Sequence, residues 1–360
     1  MTIQENVPLA PLTTLQVGGA ARYFAEVRRE NEVREAAQFA KTHELQLFVL
    51  GGGSNLVVAD SGWPGLVLRI AIGGITAPTT NDTKPNAVLF SVGAGVHWDD
   101  FVAQTVAQNC AGVECLSGIP GSVGGTPVQN VGAYGQEVAD TIESVRALDL
   151  KEDRIVVLPR PACGFRYRSS IFNSTERGRY IILRVNYRLQ RGGAPSLKYA
   201  DLQKHFAESP AQRKTPPSLA ETREAVRAIR RSKGMLLVPG DEDCRSAGSF
   251  FKNPVLSEAQ FEELTARAVS KGLEIPSYPA LAVQNKVQRK VSAAWLVEHS
   301  GFSKGYALGP ARISSRHALA LVNSGQASAS DMLRLQQQIQ EKVRENWEIT
   351  LDPEPVFVGF

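Results

Sequence analysis

The sequence predicts an α+β protein built from two or three domains. A chain of 360 residues, 43% of them hydrophobic, is longer than one compact core usually accommodates. Strand and helix patterns alternate in the N-terminal part, whereas several strand patterns follow one another in the middle of the chain. This combination is typical of mixed folds in which helices and sheets form separate layers.

The N-terminal part has the pattern of an α/β unit. Residues 21–27 match a strand, residues 30–42 a helix with one apolar face, and residues 45–50 a second strand. The second strand runs directly into Gly51, and residues 56–58 resume extended structure. Such strand-to-glycine junctions often bind phosphates. Because no GxGxxG pattern opens a helix here, the Rossmann fingerprint is excluded.

Residues 76–85 are predicted to be a polar loop and a domain boundary. Later patterns predict strands at 88–92, 142–150, 154–158, 180–189 and 347–351, and helices at 98–109, 219–232 and from Ser328 onward. Ser328 and Asp331 form a predicted capping pair. Residues 192–217 are rich in Gly, Pro, Ser and charge, so we interpret them as a mobile segment, and residues 234–243 as a loop.

Composition limits the classes of function. The formal charge of +4 permits a local anion pocket but does not indicate a nucleic-acid footprint. No apolar run approaches the ~20 residues that span a bilayer, and the N-terminus lacks a signal-peptide pattern. The four cysteines and five histidines show no metal-ligand spacing, so no metal is predicted. Reduced thiols in a cytoplasmic protein are expected.

Two glycine-rich loops indicate a phosphate-rich cofactor. Gly51–Gly53 has no side chains, so backbone N–H groups can approach a pyrophosphate, and Ser54 and Asn55 add donors. Taken alone, this triplet is better explained as an ordinary turn. The second loop changes the balance, because its glycines are dense: Gly118, Gly121, Gly124, Gly125, Gly132 and Gly135. Together the loops predict a dinucleotide; nucleic acid is a poor alternative without flanking basic and stacking residues.

Three further residues have side chains suited to chemistry. Ser249 lies in no GxSxG elbow, so it fits a proton donor better than a hydrolase nucleophile, with a turn serine as the alternative. Arg168, between aromatic residues, can bind a carboxylate bidentately or form a surface ion pair. Glu354, between two prolines, is either a rigidly presented carboxylate or an exposed terminal acid. Trp295 is predicted to be a helix core residue.

The motifs occur in a specific order. They are Thr14–Gly19, Gly51–Asn55, Gly118–Gly125, Gln129–Gly135, Tyr167–Phe172, Ala247–Pro254, Ala294–Leu296 and Pro353–Glu354. This series closely resembles the MurB family, the UDP-N-acetylenolpyruvoylglucosamine reductases, over nearly the whole chain.

The resemblance implies an FAD-binding domain of the vanillyl-alcohol-oxidase (PCMH) type with a smaller α/β C-terminal substrate domain. Its parts would be a first FAD-binding subdomain at 1–76, joined by a C-terminal strand at 346–360, a second at 77–232 and the substrate domain at 233–345. NADPH would reduce FAD and leave. UDP-N-acetylglucosamine enolpyruvate would then accept a hydride from flavin N5 and become UDP-N-acetylmuramate, a peptidoglycan precursor.

Three residues match the catalytic positions of that family. Ser249 matches the proton donor, and Arg168 and Glu354 match the other two positions. We expect Arg168 to bind and polarise the substrate carboxylate and Glu354 to hold that geometry. The cofactor contacts implied by the resemblance are Gly51, Gly52, Gly53, Ser54, Asn55, Ser117, Ile119, Gly121, Gly124, Gly125, Asn130, Gly132 and Ala133.

Tyr199 matches a substrate-stacking tyrosine. The run Leu197–Leu202 resembles the Tyr-Gly-Asp-Leu motif of the family branch with a mobile substrate loop, although Ala200 replaces the glycine. A closing loop would exclude water during hydride transfer. The other implied substrate contacts are Tyr167, Arg230, Lys233, Asn253, Lys304 and His317. Some members have glutamine at the position of His317.

Two alternatives remain at this stage. Another FAD-dependent oxidase of the same fold would share the glycine loops but need not have Ser249, Arg168 and Glu354 together. A non-catalytic nucleotide-sugar or flavin-binding protein would need none of the three. We expect a monomer in the cytoplasm, with no nucleic-acid or membrane partner.

Overall fold

The computed structural model describes residues 1–79, 86–207, 215–279 and 288–360. By internal contacts the chain divides into two compact units. The first unit comprises Met1–Val7, Ala21–Gly53 and Trp63–Ser232, and the second comprises Pro8–Ala20, Ser54–Gly62 and Lys233–Phe360. The chain therefore passes between the units five times, once after Gly53 in the first glycine loop and for the last time after Ser232. The further subdivision of the FAD-binding part stays a prediction.

Most of the strands are short. In chain order they are β1 (Ile3–Pro8), β2 (Ala20–Val27), β3 (Leu47–Leu50), β4 (Leu56–Val58), β5 (Trp63–Ile70), β6 (Ile75–Thr79), β7 (Ala87–Gly93), β8 (Cys110–Ala111), β9 (Gly132–Ala133), β10 (Gln136–Glu137), β11 (Ile142–Asp149), β12 (Arg154–Pro159), β13 (Tyr180–Arg191), β14 (Ser246–Ser249), β15 (Val255–Ser257), β16 (Ser277–Pro279), β17 (Gln288–Val291), β18 (Ala307–Leu308), β19 (Ala311–Ile313), β20 (Ala320–Asn323) and β21 (Val356–Val358).

The α-helices are fewer and mostly amphipathic. They are α1 (Glu30–Thr42), α2 (Trp98–Ala107), α3 (Ala200–Ala207), α4 (Leu219–Ser232), α5 (Glu258–Ser270), α6 (Ala293–Glu298) and α7 (Ala329–Trp347). The predicted capping pair of α7 is confirmed: Ser328 Oγ accepts from Asp331 N at 3.1 Å, and the Asp331 carboxylate accepts from Ser328 N at 2.9 Å.

The first unit contains two large sheets and the small antiparallel pair of β9 with β10. A four-stranded sheet has the order β1-β2-β5-β3, in which β2, β5 and β3 are parallel. A six-stranded antiparallel sheet has the order β12-β11-β13-β7-β6, and β8 also pairs with β13. The turn after β7 is hydrogen-bonded to the second glycine loop: Gly124 N donates to Ala94 O at 2.8 Å. The sheets thus position both glycine loops.

Antiparallel sheets also form the second unit. One has the order β14-β20-β19-β18 and another the order β15-β17-β16, while β21 pairs with β4 in parallel. The apolar stripe of α7 (Met332, Leu335, Ile339 and Val343) is fully buried, as its 3.6-residue period predicts. Trp295 of α6 is buried against Trp347, as expected, with ring centroids 4.9 Å apart.

The predicted strand at 347–351 is wrong. Helix α7 continues through Trp347, and Glu348 ends it in the left-handed conformation with φ of +55°. Trp347 is buried and its Nε1 donates to Ser300 Oγ at 3.1 Å, so a tertiary contact favours the helix over the local β-propensity. The last strand is β21 instead, which pairs with β4.

Two segments interpreted as irregular contain regular structure. Strand β6 occupies the described part of the predicted loop at 76–85; residues 80–85 lie outside the described residues. Within the segment 192–217, α3 forms because its Leu202 is buried in a small core with Ala225 and Val226 of α4. Residues 208–214 of that segment also lie outside the described residues.

Most of the other predicted helices and strands are confirmed. The described helices α1, α2 and α4 and strands β2, β3, β7, β11, β12 and β13 lie where the patterns placed them, within a few residues. All four cysteines are free and buried. Among the described residues, every helix is too short or too polar to cross a bilayer.

Candidate active site

The first glycine loop packs against the second through bare backbone. A Cβ on Gly52 would lie 2.4 Å from Gly121 Cα and 2.8 Å from Ser122 N, so no side chain fits there. Gly53 has φ of +66° and Gly121 φ of +125°, conformations that favour glycine. The structure therefore joins Gly51–Gly53 and Gly121, which the sequence had assigned to one ligand.

The Gly118 peptide is held from two helices. Its N–H donates to Asp99 Oδ1 at 2.6 Å, and its carbonyl accepts from Arg230 Nε at 3.0 Å. Asp99 also accepts from Arg223 and Arg227, each at 2.6 Å. Burial by itself raises the pKa of Asp99, but the hydrogen bonds from Arg223 and Gly118 outweigh it and lower that pKa. Arg230, predicted to contact substrate, is buried and bonded to the second glycine loop.

A free hydroxyl lies where the two loops meet. Ser122 Oγ is buried and has no hydrogen-bond partner within the part of the chain that the structure describes. A Cβ on Gly51 would lie 2.9 Å from this oxygen, so the hydroxyl faces the first loop. An unsatisfied buried hydroxyl is costly, which fits a site completed by a polar ligand. The sequence prediction omitted Ser122, although its position between Gly121 and Gly124 was the available signal.

The rest of the second loop differs in how much space it leaves. A Cβ on Gly124 would lie 2.7 Å from Ala94 Cβ, whereas one on Gly125 would meet nothing within 4 Å. Ser117 is fully buried and its Oγ donates to Glu114 O at 2.6 Å, while Ile119 is half-buried against the core. Gly125 therefore borders open space, and Ser117 has a structural partner.

Asn130 shapes the following turn from inside. Its Nδ2 donates to Glu137 Oε2 at 2.8 Å and to Arg166 O at 3.0 Å, and its Oδ1 accepts from Ala139 N at 3.1 Å. Asn130 is almost fully buried with φ of +46°, which asparagine tolerates better than most residues. A cofactor contact through its side chain stays a prediction.

Arg168 lies at the tip of a short turn beside the second loop. Arg166 and Ser169 exchange backbone hydrogen bonds of 2.8 Å and 3.1 Å, which leaves Arg168 with φ of +53°. Its Nη2 donates to Gly132 O at 2.8 Å, and its Cζ lies 5.3 Å from the ring centroid of Tyr167. The structure thus holds the guanidinium against Gly132 of the second glycine loop, next to Tyr167.

Ser249 ends strand β14 in the second unit. It pairs with Ala320 across an irregular register, and Gly248 just before it has φ of +77°. Phe250 and Phe251, which follow, are buried in the core and fix the strand end, whereas Ser249 is only half-buried. This geometry presents the hydroxyl at the end of a rigid element.

Glu354 lies on backbone that is hydrogen-bonded to the Ser249 segment. Its N–H donates to Phe250 O at 2.9 Å, and Phe251 bridges to Pro353. Asn55 Nδ2 donates to Glu354 O at 3.2 Å. The second unit therefore brings Glu354, Asn55 and the chain next to Ser249 into one frame, although they are far apart in sequence.

The other predicted substrate contacts occupy varied places. Asn253 Oδ1 accepts from Ala293 N at 2.9 Å and so holds the start of α6. His317 Nδ1 lies 3.0 Å from Leu319 N and accepts from it, which places the ring proton on Nε2. Lys233 is half-buried, and Lys304 is exposed in the turn after α6.

Comparisons with known proteins identify the two units. The profile described as "FAD binding domain" matches residues 21–158, and the profile "UDP-N-acetylenolpyruvoylglucosamine reductase, C-terminal domain" matches residues 239–358. Over 358 residues the chain is 44% identical to the UDP-N-acetylenolpyruvoylglucosamine reductase of Thermobifida fusca, covering 98% of this chain and 97% of that protein. The chain belongs to the UDP-N-acetylenolpyruvoylglucosamine reductase family.

Two further relatives agree with this assignment. The reductase of Streptomyces avermitilis is 44% identical over 359 residues, with 98% of this chain and 94% of that protein covered. The crystal structure of the Thermus caldophilus enzyme is 27% identical with a TM-score of 0.65, covering 99% and 100% of the two chains. The predicted α+β class is confirmed, and the two profile matches confirm an FAD-binding domain and a smaller C-terminal domain. The protein is an FAD-dependent oxidoreductase.

The glycine loops of this reductase-family chain fit the phosphates of FAD. Gly51–Gly53 and Gly121 supply bare backbone, Ser122 supplies an unpaired buried hydroxyl, and Gly125 borders open space. Backbone N–H groups of this kind, together with one hydroxyl, suit an anion. The fit rests on loops of the first unit alone.

A buried carboxylate that sequence reasoning missed organises the loop before Ser249. Asp243 accepts from Arg312 at 2.7 Å, from Ser315 Oγ at 2.6 Å and from Arg316 Nε at 3.0 Å. Burial by itself raises the pKa of Asp243, but the three donors outweigh it and lower that pKa strongly. This network ties residues 234–245, whose path the sequence left open, to the turn that carries His317.

The described residues contain no group of three or more His, Cys, Asp or Glu side chains arranged to hold a metal ion.

Proposed function

We propose that this protein catalyses the NADPH-dependent reduction of UDP-N-acetylglucosamine enolpyruvate to UDP-N-acetylmuramate. Family membership over nearly the whole chain carries the proposal. The frame that holds Glu354 beside the Ser249 strand supports it, because a non-catalytic binding protein has no need to hold a hydroxyl and a carboxylate on rigid neighbouring segments.

FAD, when bound, would supply the hydride for the vinyl carbon of the substrate. The residues of this chain would do the rest. Arg168, fixed by Gly132 O and Tyr167, would bind the substrate carboxylate and stabilise the negative charge that develops next to it. Ser249 Oγ would donate a proton to the carbon that bears the ether oxygen. Glu354 would orient the reacting groups.

The remaining substrate contacts belong to the same proposal. Tyr199 would stack on the substrate, and Tyr167, Arg230, Lys233, Asn253, Lys304 and His317 would bind other parts of the nucleotide sugar. The cationic members suit a pyrophosphate, which carries negative charge at neutral pH. For Arg230 the proposal must accommodate the hydrogen bond from its Nε to Gly118 O.

The proposal also sets the cellular context. The product would enter peptidoglycan precursor synthesis and so support the cell wall, cell shape and division. Nucleotide substrates, NADPH and four free cysteines together favour the cytoplasm. We propose a monomer without nucleic-acid or membrane partners.

Anaerobic visible absorbance of the purified protein tests the function. NADPH should bleach the flavin, and the enolpyruvyl nucleotide sugar should restore its absorbance without oxygen. Recovery only after oxygen is admitted would favour an oxidase on the same fold. Absence of a flavin spectrum in folded protein given excess FAD would contradict cofactor binding itself.

A further inference from the structure

A fully buried carboxylate lies just before the second glycine loop. Glu114, in the 3-10 turn Glu114–Leu116, has no exposed surface. Its carboxylate accepts hydrogen bonds from Gly112 N at 2.7 Å, Gln136 Nε2 at 2.8 Å and Ser196 N at 2.9 Å. Within the described ranges, no Lys, Arg or His side chain forms an ion pair with Glu114.

Such a group is expensive to bury. A carboxylate removed from water loses several kcal/mol unless hydrogen bonds replace its hydration. Here three N–H donors supply that replacement, and they come from three separate stretches of chain: the end of β8, strand β10 and the segment after β13. The carboxylate therefore adds a side-chain link between these stretches, two of which are also joined by the pairing of β8 with β13.

Both backbone polar groups of Ser196 are hydrogen-bonded. Its N–H donates to Glu114 Oε1, and its carbonyl accepts from Cys115 Sγ at 3.1 Å. Cys115 N in turn donates to Gln136 Oε1 at 2.8 Å. Glu114 and Cys115, which precede the second glycine loop, thus fix Ser196 in the segment 192–217.

Tyr199 follows this anchor by three residues. Three residues span at most about 10 Å, so the anchor limits where the tyrosine ring can lie. The ring meets Tyr134 of the cofactor loop edge-on, with centroids 5.4 Å apart, and is itself substantially exposed. The side chain of Tyr199 is therefore accessible to a ligand, while its ring lies against Tyr134 of the second glycine loop.

We propose that Glu114 is a positioning residue: its carboxylate holds Ser196 and thereby sets the position of Tyr199 beside the cofactor loop. The inference rests on the proposed function for the role of Tyr199 in substrate binding. It places one fixed point of the segment at Ser196, three residues before Tyr199.

Ser196→Pro tests the proposal by removing the donor of the hydrogen bond between Ser196 and Glu114. Proline removes the N–H that Glu114 accepts and leaves the buried carboxylate with its other two donors. Ala194→Pro is the matched control, because Ala194 is exposed and its N–H makes no backbone hydrogen bond in the described part of the chain. Glu114→Gln changes the acceptor of the same bond. Both carboxylate oxygens accept from N–H groups, so the amide NH2 of glutamine must face an N–H donor and lose at least one of these hydrogen bonds.

We expect Ser196→Pro to raise the KM for the enolpyruvyl nucleotide sugar roughly tenfold, as for a lost hydrogen bond to a charged group. NADPH-dependent flavin reduction should stay unchanged, because Tyr199 is assigned to binding of the nucleotide sugar. The double variant with Tyr199→Ala should be no worse than Tyr199→Ala alone, since both act through the same side chain. Glu114→Gln should raise KM in the same direction.

Hydrogen exchange separates this inference from the proposed function. The amides of residues 197–199 should exchange faster in Ser196→Pro than in the wild type or Ala194→Pro, with no substrate present. Faster exchange without any wild-type turnover would contradict the function and leave the anchor intact. Unchanged exchange, an unchanged KM, or multiplicative effects of Ser196→Pro and Tyr199→Ala would overturn the anchor; if Glu114→Gln does not fold, the Ser196→Pro result decides.

Discussion

At the residue scale, Ser249 combines partial exposure with a rigid backbone. The buried Phe250 and Phe251 fix the strand end from one side, and the φ of +77° at Gly248 sets its direction from the other. A hydroxyl held in this way loses little entropy when it donates a proton, which is the reason to expect a catalytic effect rather than a structural one.

Ser249→Ala should separate the two half-reactions. Flavin reduction by NADPH should be retained, whereas reoxidation by the nucleotide sugar should slow on the order of 10²-fold or more, because only that step needs the proton. Stopped-flow absorbance under anaerobic conditions measures both steps. Ser270→Ala, at an exposed helix end, is the control, and an unchanged reoxidation rate in Ser249→Ala would falsify the assigned role.

The Ser122 hydroxyl gives a second prediction, which concerns the affinity for FAD. Ser122→Ala should weaken FAD binding roughly three- to tenfold, the effect of one lost neutral hydrogen bond, with little change in the stability of the apoprotein. Equilibrium titration of the apoprotein with FAD gives the dissociation constant. Ser144→Ala on β11 removes a hydroxyl that pairs with Asn186 instead, and its FAD affinity should equal that of the wild type.

At the element scale, the start of α2 is joined to α4 through one carboxylate. Asp99 accepts from Gly118, Arg223 and Arg227, so the start of the second glycine loop is bonded to both helices. Its side chain is mostly buried, whereas that of Asp100 next to it is 79% exposed and only 3.8 Å from His97. The two neighbouring aspartates therefore form a natural pair for comparison.

Asp99→Asn should destabilise the protein by roughly 2 kcal/mol at neutral pH, and Asp100→Asn hardly at all. The pKa of Asp99 is lowered in the folded state. The ionised carboxylate therefore stabilises the folded protein fully at pH values above its unfolded-state pKa of about 3.9, and this contribution is lost as the pH falls below that value. Urea unfolding from pH 7 downward should show the two variants converging only below that value. Equal stability of both variants at pH 7 would contradict the bracing role.

At the scale of the whole molecule, cofactor and stability are linked. A ligand that binds only the folded state, present at 100 times its Kd, stabilises it by about 2.7 kcal/mol. FAD should therefore raise the melting temperature of the apoprotein, and its removal should lower that of the holoenzyme. Differential scanning calorimetry with FAD and with riboflavin distinguishes the sources of affinity. Because the glycine loops are suited to phosphates, riboflavin should give a much smaller shift; an equal shift would refute the assignment of those loops.

Local patterns were sufficient for much of the fold. Amphipathic periodicity identified α1, α4 and α7, and Ser328 with Asp331 marked the start of α7, because these signals lie within a few residues of one another. The predictions failed where distant contacts decide. The burial of Trp347 and its bond to Ser300 extend α7 through a β-prone sequence, and Leu202 orders α3 inside a polar segment.

The sequence by itself determined the family, the cofactor class and the residue types available for catalysis, because these depend on the order and identity of residues along the chain. Only the tertiary structure decided that Ser122 faces the first glycine loop, that Glu354 is bonded beside the Ser249 strand, and that Glu114 holds Ser196. Those contacts join residues far apart in sequence, and their partners are selected by packing and by the need to satisfy buried polar groups. No local pattern encodes that choice.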